Sequence, residues 1–176
     1  MPNIIMADQK GESMIYNDRT GAYYKEVMDI TLKGGRAGGQ TLDNFCLDRR
    51  WYYCEQLKKI TIDSPKIVLS TKGSRWLNNC SSLEEIVVLG VLDGAGVQVA
   101  QDCPKLKTVV LGSIGYPCAN NLTGTTFQNS GASAADKTIT VYTSDSDSIP
   151  FSGAPFGLTG ATVIYRSSTT GEVRTE

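Results

Sequence analysis

The chain has 176 residues, a formal charge of −1 and no histidine. Its length suits one domain with a continuous core, and its charges are mixed along the chain, so no basic footprint for nucleic acid or an anionic membrane surface is present. The missing imidazole removes the usual general base, the commonest metal ligand and the middle member of Ser-His-Asp and Cys-His arrangements.

Residues 1–26 open with MPNIIMADQKGES, which holds no apolar run of signal-peptide length. No segment approaches the roughly 18 apolar residues of a membrane helix. The expectation is a cytoplasmic protein without membrane contact. The apolar triplets IIM and MIY assign residues 1–26 the role of an N-terminal cap.

From residue 27 onward the sequence is repetitive. CEQLKKITI from Cys54, CSSLEEIVV from Cys80 and CPKLKTVVL from Cys103 align without gaps, and their leucines, Leu57, Leu83 and Leu106, lie 26 and 23 residues apart. The template weakens in both directions but persists: VMDITL places Val27, Ile30 and Leu32 on it, KTITVY places Ile139 and Val141, and ATVIY places Val163 and Tyr165. Repeats at such a period mark stacked units, none of which buries its apolar side alone. The pattern predicts a repeat solenoid over residues 27–165, of about six coils, followed by a polar tail over 166–176.

Within each coil the alternation of Ile60, Ile62 with Thr61 predicts a strand with one face inward. Stacking then brings Thr31, Thr61, Val87, Val110, Thr140 and Ile164 into one outward row, forming a parallel sheet on one face of the solenoid. Just ahead of it, Lys58 and Lys59, Glu84 and Glu85, and Lys107 and Thr108 alternate in charge from strand to strand. An apolar residue sits three positions before each cysteine: Trp51, Leu77, Ala100, and Phe127 before Ser130, which takes the cysteine's place. That spacing predicts short helical or 3₁₀ turns, or loops, on the other face.

Five cysteines at positions 46, 54, 80, 103 and 118 form no CxxC pair, which disfavours a disulfide framework and a zinc site. Those at 54, 80 and 103 fall on an inward repeat position and are predicted to be core thiols. The run Ser144-Asp145-Ser146-Asp147-Ser148 echoes half a calcium loop, but Pro150 and Phe156 stand where an EF-hand needs Gly and Glu, so it is predicted to be a solvated turn. GGRAGG at 34–39 and GAG at 94–96 lack the Lys-Ser/Thr of a phosphate loop and are expected to be turns. No catalytic residue, metal site or cofactor is expected.

The segments WYYCEQLKKITI, LNNCSSLEEIVV and AQDCPKLKTVVL resemble the BspA-like bacterial leucine-rich repeats, well over residues 50–111 and weakly over 27–49 and 125–165. The resemblance implies a short right-handed leucine-rich-repeat solenoid acting as a binding or adhesion module, at the cell surface if a leader is missing. Related repeats in phage and prophage proteins add a virion setting as an alternative. The residues expected to meet a protein partner are Lys58, Lys59, Thr61, Glu84, Glu85, Val87, Lys107 and Val110 on the sheet, with Arg36 and Gln40 in the loop at 33–42, and the loop at 113–125 flanking them. A face of six strands offers roughly 400 Å², against about 800 Å² per partner in a standard interface. A stable partner therefore has to touch the loops as well, or the chain forms a homo-oligomer through its solenoid ends.

Overall fold

The computed structural model describes residues 4–8, 29–34, 54–63, 66–68, 75–93, 98–118, 122–148 and 155–175. Among them are the strands β1 (Ile4–Asp8), β2 (Asp29–Gly34), β3 (Lys59–Asp63), β4 (Lys66–Val68), β5 (Arg75–Asn78) and β6 (Glu85–Val88), then β7 (Val91–Asp93), β8 (Gln98–Gln101), β9 (Thr108–Leu111), β10 (Thr138–Thr143) and β11 (Thr162–Ser167). Seven of these form one sheet in the order β1-β2-β3-β6-β9-β10-β11. Every pairing in it is parallel. Two short parallel pairs, β4-β7 and β5-β8, form the other walls. The path from β3 onward is a β-solenoid of about three turns.

The main sheet follows from the two-residue alternation. In β3 the burial pattern is half, full, half, full, half, with Ile60 and Ile62 closed off from solvent, and β6, β9 and β10 repeat it. Register stacks like on like. Ile30, Ile60, Ile86, Val109, Ile139 and Val163 form one line, and Leu32, Ile62, Val88, Leu111, Val141 and Tyr165 the next. A slip of one residue would turn the buried side chains of β3, β6, β9 and β10 out to water, so the pattern that makes the strands also fixes their pairing.

Between cysteine and leucine the chain makes a tight turn. The amides of Leu57, Leu83 and Leu106 each donate to the carbonyl of the cysteine three residues earlier, at 3.1 Å. Both ends of this turn point inward, and all six residues are buried. The C-x-x-L signature is thus a turn that delivers the chain to the sheet, with both its hydrophobic ends in the core.

The segment before the cysteine differs from the helical or 3₁₀ turn that its spacing predicts. No helix occurs among the described residues; β5 and β8 are strands, each followed by one residue in the left-handed region, Asn79 (φ 58°) and Asp102 (φ 56°). Asn129 (φ 57°) stands at the same place before Ser130. A single left-handed residue bends an extended segment enough to bring both Leu77 and Cys80, or Ala100 and Cys103, to the inside. The amides also bond forward to the next coil rather than back along their own: Asn79 N–H to the Gln101 carbonyl at 2.9 Å and Asp102 N–H to that of Gln128 at 3.1 Å. Asn and Asp suit this position because their short polar side chains tolerate the left-handed region.

Both ends of the sheet carry further pairings. Ile4–Asp8, inside the stretch assigned to an N-terminal cap, is a strand paired with β2 from Ile4 opposite Ile30 to Asp8 opposite Gly34. At the other end β11 runs to Ser167, and residues 171–174 turn back along it, with Val173 opposite Arg166 in an antiparallel bridge. The last coil fills its core with Phe127, Phe156 and Leu158, bringing in aromatic rings where the central coils stack leucine and cysteine. Phe156 reaches the core through a two-residue turn in which it and Gly157 both have positive φ, 49° and 89°, closed by Leu158 N–H on the Pro155 carbonyl at 2.7 Å.

Candidate functional site: the outer face of the sheet

The outward side of the seven-stranded sheet carries its side chains in ordered rows, because in-register parallel strands place equivalent residues side by side at about 4.8 Å. The central row reads Thr31, Thr61, Val87, Val110, Thr140 and Ile164, and it extends to the register position of Ile5 on β1. The described side chains of this row are half-buried by their neighbours. Upstream lies a second row, Asp29, Lys59, Glu85, Thr108, Thr138 and Thr162.

Charge is concentrated on the β3-β6-β9 side. Lys59 Nζ meets Glu85 Oε1 at 2.9 Å, and Lys107 Nζ meets Glu84 Oε2 at 2.6 Å. Lys58, Glu84 and Lys107 lie one step before the strands, on a lip where the Lys58 carbonyl accepts from the amides of Glu84 and Glu85 and the Glu84 carbonyl from those of Lys107 and Thr108. The hydrogen bond and positive charge of Lys107, followed by the charge of Lys58, hold the Glu84 carboxyl below the usual carboxylate range. Toward β10 and β11 the same row becomes threonine. One face therefore has a charged half and a hydroxyl half.

The structure brings together Lys58, Lys59, Thr61, Glu84, Glu85, Val87, Lys107 and Val110 on this face and its lip. Arg36 and Gln40 lie outside the described residues, as do Cys46 and Trp51. The loop after β9 is described through Cys118: its Ser113–Tyr116 turn bonds amide to carbonyl in both directions, at 2.9 and 3.0 Å, and holds Ile114 58% exposed. Gly115 N–H ties this turn to the Ser168 carbonyl at 2.7 Å. Two residues were overlooked in the sequence. Tyr142 and Arg166 are opposite each other and continue the outward alternation of Thr140 and Ile164 by one further step, forming part of a third row. The alternation itself contained that signal.

Behind the face the thiols are stacked. Cys54, Cys80 and Cys103 are 2%, 0% and 0% exposed. Cys103 Sγ donates to the Leu77 carbonyl at 2.9 Å, and its backbone amide donates to Ser130 Oγ at 3.2 Å, so serine completes the column. The flanking thiol of Cys103, then that of Cys54, together with burial, push the Cys80 thiol up, and burial pushes Cys118 up to about 12. Enclosed this way, the stacked thiols have little access to a substrate or a metal ion. Polar pairs continue the stacking beside them: Asn78 to Gln101 at 3.3 Å, Gln98 to Gln128 at 3.2 Å and Asn129 to Asp102 at 3.1 Å.

The turn at Ser144–Asp147 has its own cation. Three of its carbonyls accept from the Arg174 guanidinium, those of Ser144 and Asp147 at 2.8 Å and that of Asp145 at 3.4 Å. Asp145 is exposed and Asp147 half-buried, and among the described residues no group of three or more His, Cys, Asp or Glu side chains is placed to hold a metal ion. No protein-family model matches the chain, and neither the curated proteins nor the solved structures include a match.

Proposed function

We propose that the chain is a non-catalytic protein-interaction module of the leucine-rich-repeat type, with about six coils, that binds a protein partner through the outer face of the sheet and the loops flanking it. The reading rests on one observation above others: a central row of β-branched side chains in unbroken register, rimmed on one side by alternating Lys and Glu. A centre in which Val87, Val110 and Ile164 are interspersed with threonines, edged by charge, fits a protein interface, which is on the whole only about as apolar as the rest of a protein surface. Charges on the rim steer encounter and set register more than they add affinity.

Area sets what else the partner touches. Seven strands span about 29 Å, and five residues of strand about 16 Å, so the face offers roughly 450 Å². A standard interface takes about 800 Å² from each partner. The remainder falls to the flanking loops, where Ile114 is the most exposed large apolar side chain described. The leucine-rich-repeat assignment rests on Leu57, Leu83 and Leu106, each three residues beyond its cysteine and three before its first core strand residue.

The test is site-specific cross-linking in the full chain. A photoreactive residue placed at Val87 on the sheet should trap a defined protein from the cells that make this chain, and the adduct should vanish when Lys58 and Lys59 are both changed to Glu. The same probe at Ser133, which is exposed and off this face, should trap nothing in common with it. Equal adducts from both positions, or an adduct indifferent to the charge reversal, would reject the face.

A further inference from the structure

All pairings within the seven-stranded sheet are parallel, yet the outer edge of β11 carries an antiparallel one, Arg166 opposite Val173. Two backbone bonds flank it. Arg174 N–H donates to the Tyr165 carbonyl and Ser167 N–H to the Glu172 carbonyl, both at 2.9 Å. The inner side of β11 is engaged elsewhere, with Thr162 N–H on the Lys137 carbonyl and Ser168 N–H on the Thr143 carbonyl, each at 2.9 Å. Backbone groups alternate sides along a strand in a parallel sheet, so Val163, Tyr165 and Ser167 direct theirs outward. The segment 172–174 takes up part of that edge.

Two arginines fasten it. Arg166 Nη1 donates to the Gly171 carbonyl at 2.8 Å. Arg174 Nη1 donates to Thr143 Oγ1 at 2.6 Å and to the Ser144 carbonyl at 2.8 Å, while its Nη2 reaches the Asp147 carbonyl at 2.8 Å. The planar fork of donors is what makes such a multiple grip possible. Val173, between the two grips, is 53% exposed. Hydrogen bonds rather than burial hold this strap, in contrast to the dry stacking of every central coil.

We propose that Glu172–Arg174 is an internal cap occupying the place of a strand from a second copy of this chain, and that its release turns the β11 edge into a two-fold dimer interface. An uncovered edge strand is a template for pairing. Two copies of one strand related by a two-fold axis pair antiparallel, with the same residues on both sides. That is the sense the strap already adopts on this edge. In a pairing centred on Ile164, Thr162 lies opposite Arg166 of the second copy and Val163 opposite Tyr165, so no like charges meet.

The test uses the full chain. Arg174→Glu sets a carboxylate against the carbonyls of Ser144 and Asp147 and should free the strap. Sedimentation velocity should show the native chain keeping a monomer mass as concentration rises, and the variant doubling it. Amide exchange at Ser167 should speed up in the dilute variant and slow again on dimerisation. Adding Thr162→Lys, which faces Arg166 across the two-fold axis, should return the variant to monomer. Should Arg174→Glu lose the circular dichroism of the native sheet, the milder Arg174→Gln replaces it with the same outcomes required. A folded variant that stays monomeric, a dimer that Thr162→Lys leaves intact, or a native chain that already dimerises through this edge would each overturn the proposal.

Discussion

The central coils and the C-terminal coil solve the same stacking problem with different means. From Cys54 to Leu111 each turn repeats one set of side chains: a cysteine, a leucine three residues on, and two β-branched or leucine residues in the strand, all of them enclosed. From Phe127 to Arg174 the set changes. Serine replaces cysteine, Phe127, Phe156 and Leu158 fill the space, a positive-φ turn brings Phe156 in, and an arginine fork closes the end. Repetition suits the middle of a stack, where each unit meets a copy of itself above and below. The β11 coil has a coil of the sheet on one side only, so it uses parts that the repeat does not contain.

That contrast is sharpest in the core. Leu83 is fully buried between coils carrying Leu57 and Leu106 at the equivalent place, and neighbours that are themselves held in register cannot collapse into a gap. Leu83→Ala should cost about 3–5 kcal/mol, the upper part of the range for such truncations. Val163 holds the equivalent of a central strand position in β11, but it is only half-buried and packs against the rim of the core. Val163→Ala should cost about 1 kcal/mol, because a rim site loses less contact and relaxes more easily. Urea denaturation of both variants checks this. Equal losses would mean that the last coil is as tightly held as the middle ones.

The backbone of the C-terminal coil gives the next largest effect. At Gly157 an added Cβ would lie 2.5 Å from the Gly124 carbonyl oxygen and 3.1 Å from the Gln128 nitrogen, with φ at +89°. Neither neighbour is a flexible side chain. Gly157→Ala should cost about 2–4 kcal/mol by combining backbone strain with a clash that only a shift of the turn relieves. Gly160, at φ +77°, meets only the tip of the Lys137 side chain at 3.7 Å. Its alanine variant should cost about 1 kcal/mol, the conformational part alone. Thermal melts that rank the two variants the other way round would show the 156–157 turn to be soft, and the last coil to be loosely built after all.

The middle of the chain was the more legible half, and for the same reason. Ile60, Ile86 and Val109 share one gapless alignment, and the rows they predict, including Thr31 through Ile164 on the outer face, are the rows the register produces. The residues that read least well carry local backbone chemistry. Leu77 and Cys80 both face inward, as their spacing requires, yet a strand with a left-handed Asn79 gives that result as well as a helical turn does. The Asn-Cys, Asp-Cys and Asn-Ser pairs at 79–80, 102–103 and 129–130 held the clue, since Asn and Asp favour that conformation. The grip of Arg174 on a turn 27 to 30 residues earlier was invisible in the sequence, because a guanidinium on main-chain carbonyls leaves no side-chain partner to find.

The smallest effects separate the two regions by what their charges touch. On the lip, Glu84 is held below its ordinary range by Lys107; at the end, hydrogen bonding from Thr169, then Ser167, with the charge of Arg174 as a lesser contribution, does the same for Asp145. A carboxyl depressed in the folded state contributes stability above its unfolded pKa, and that contribution is lost as pH falls through the folded value, so both regions should loosen slightly only in acid, below about pH 4. Salt should distinguish them. The Lys107–Glu84 and Lys59–Glu85 pairs are half exposed, and molar salt, with a screening length of about 3 Å, should erase what little they contribute. Arg174 bonds to neutral carbonyls, and those short contacts do not depend on a long-range field. Amide exchange at neutral pH with and without 1 M salt should therefore change at Glu85 and Thr108 and stay constant at Ser167. Faster exchange at Ser167 in salt would mean that the strap is held by its net charge and not by its hydrogen-bond geometry, and the end of the solenoid would then be a looser lid than its fork of bonds implies.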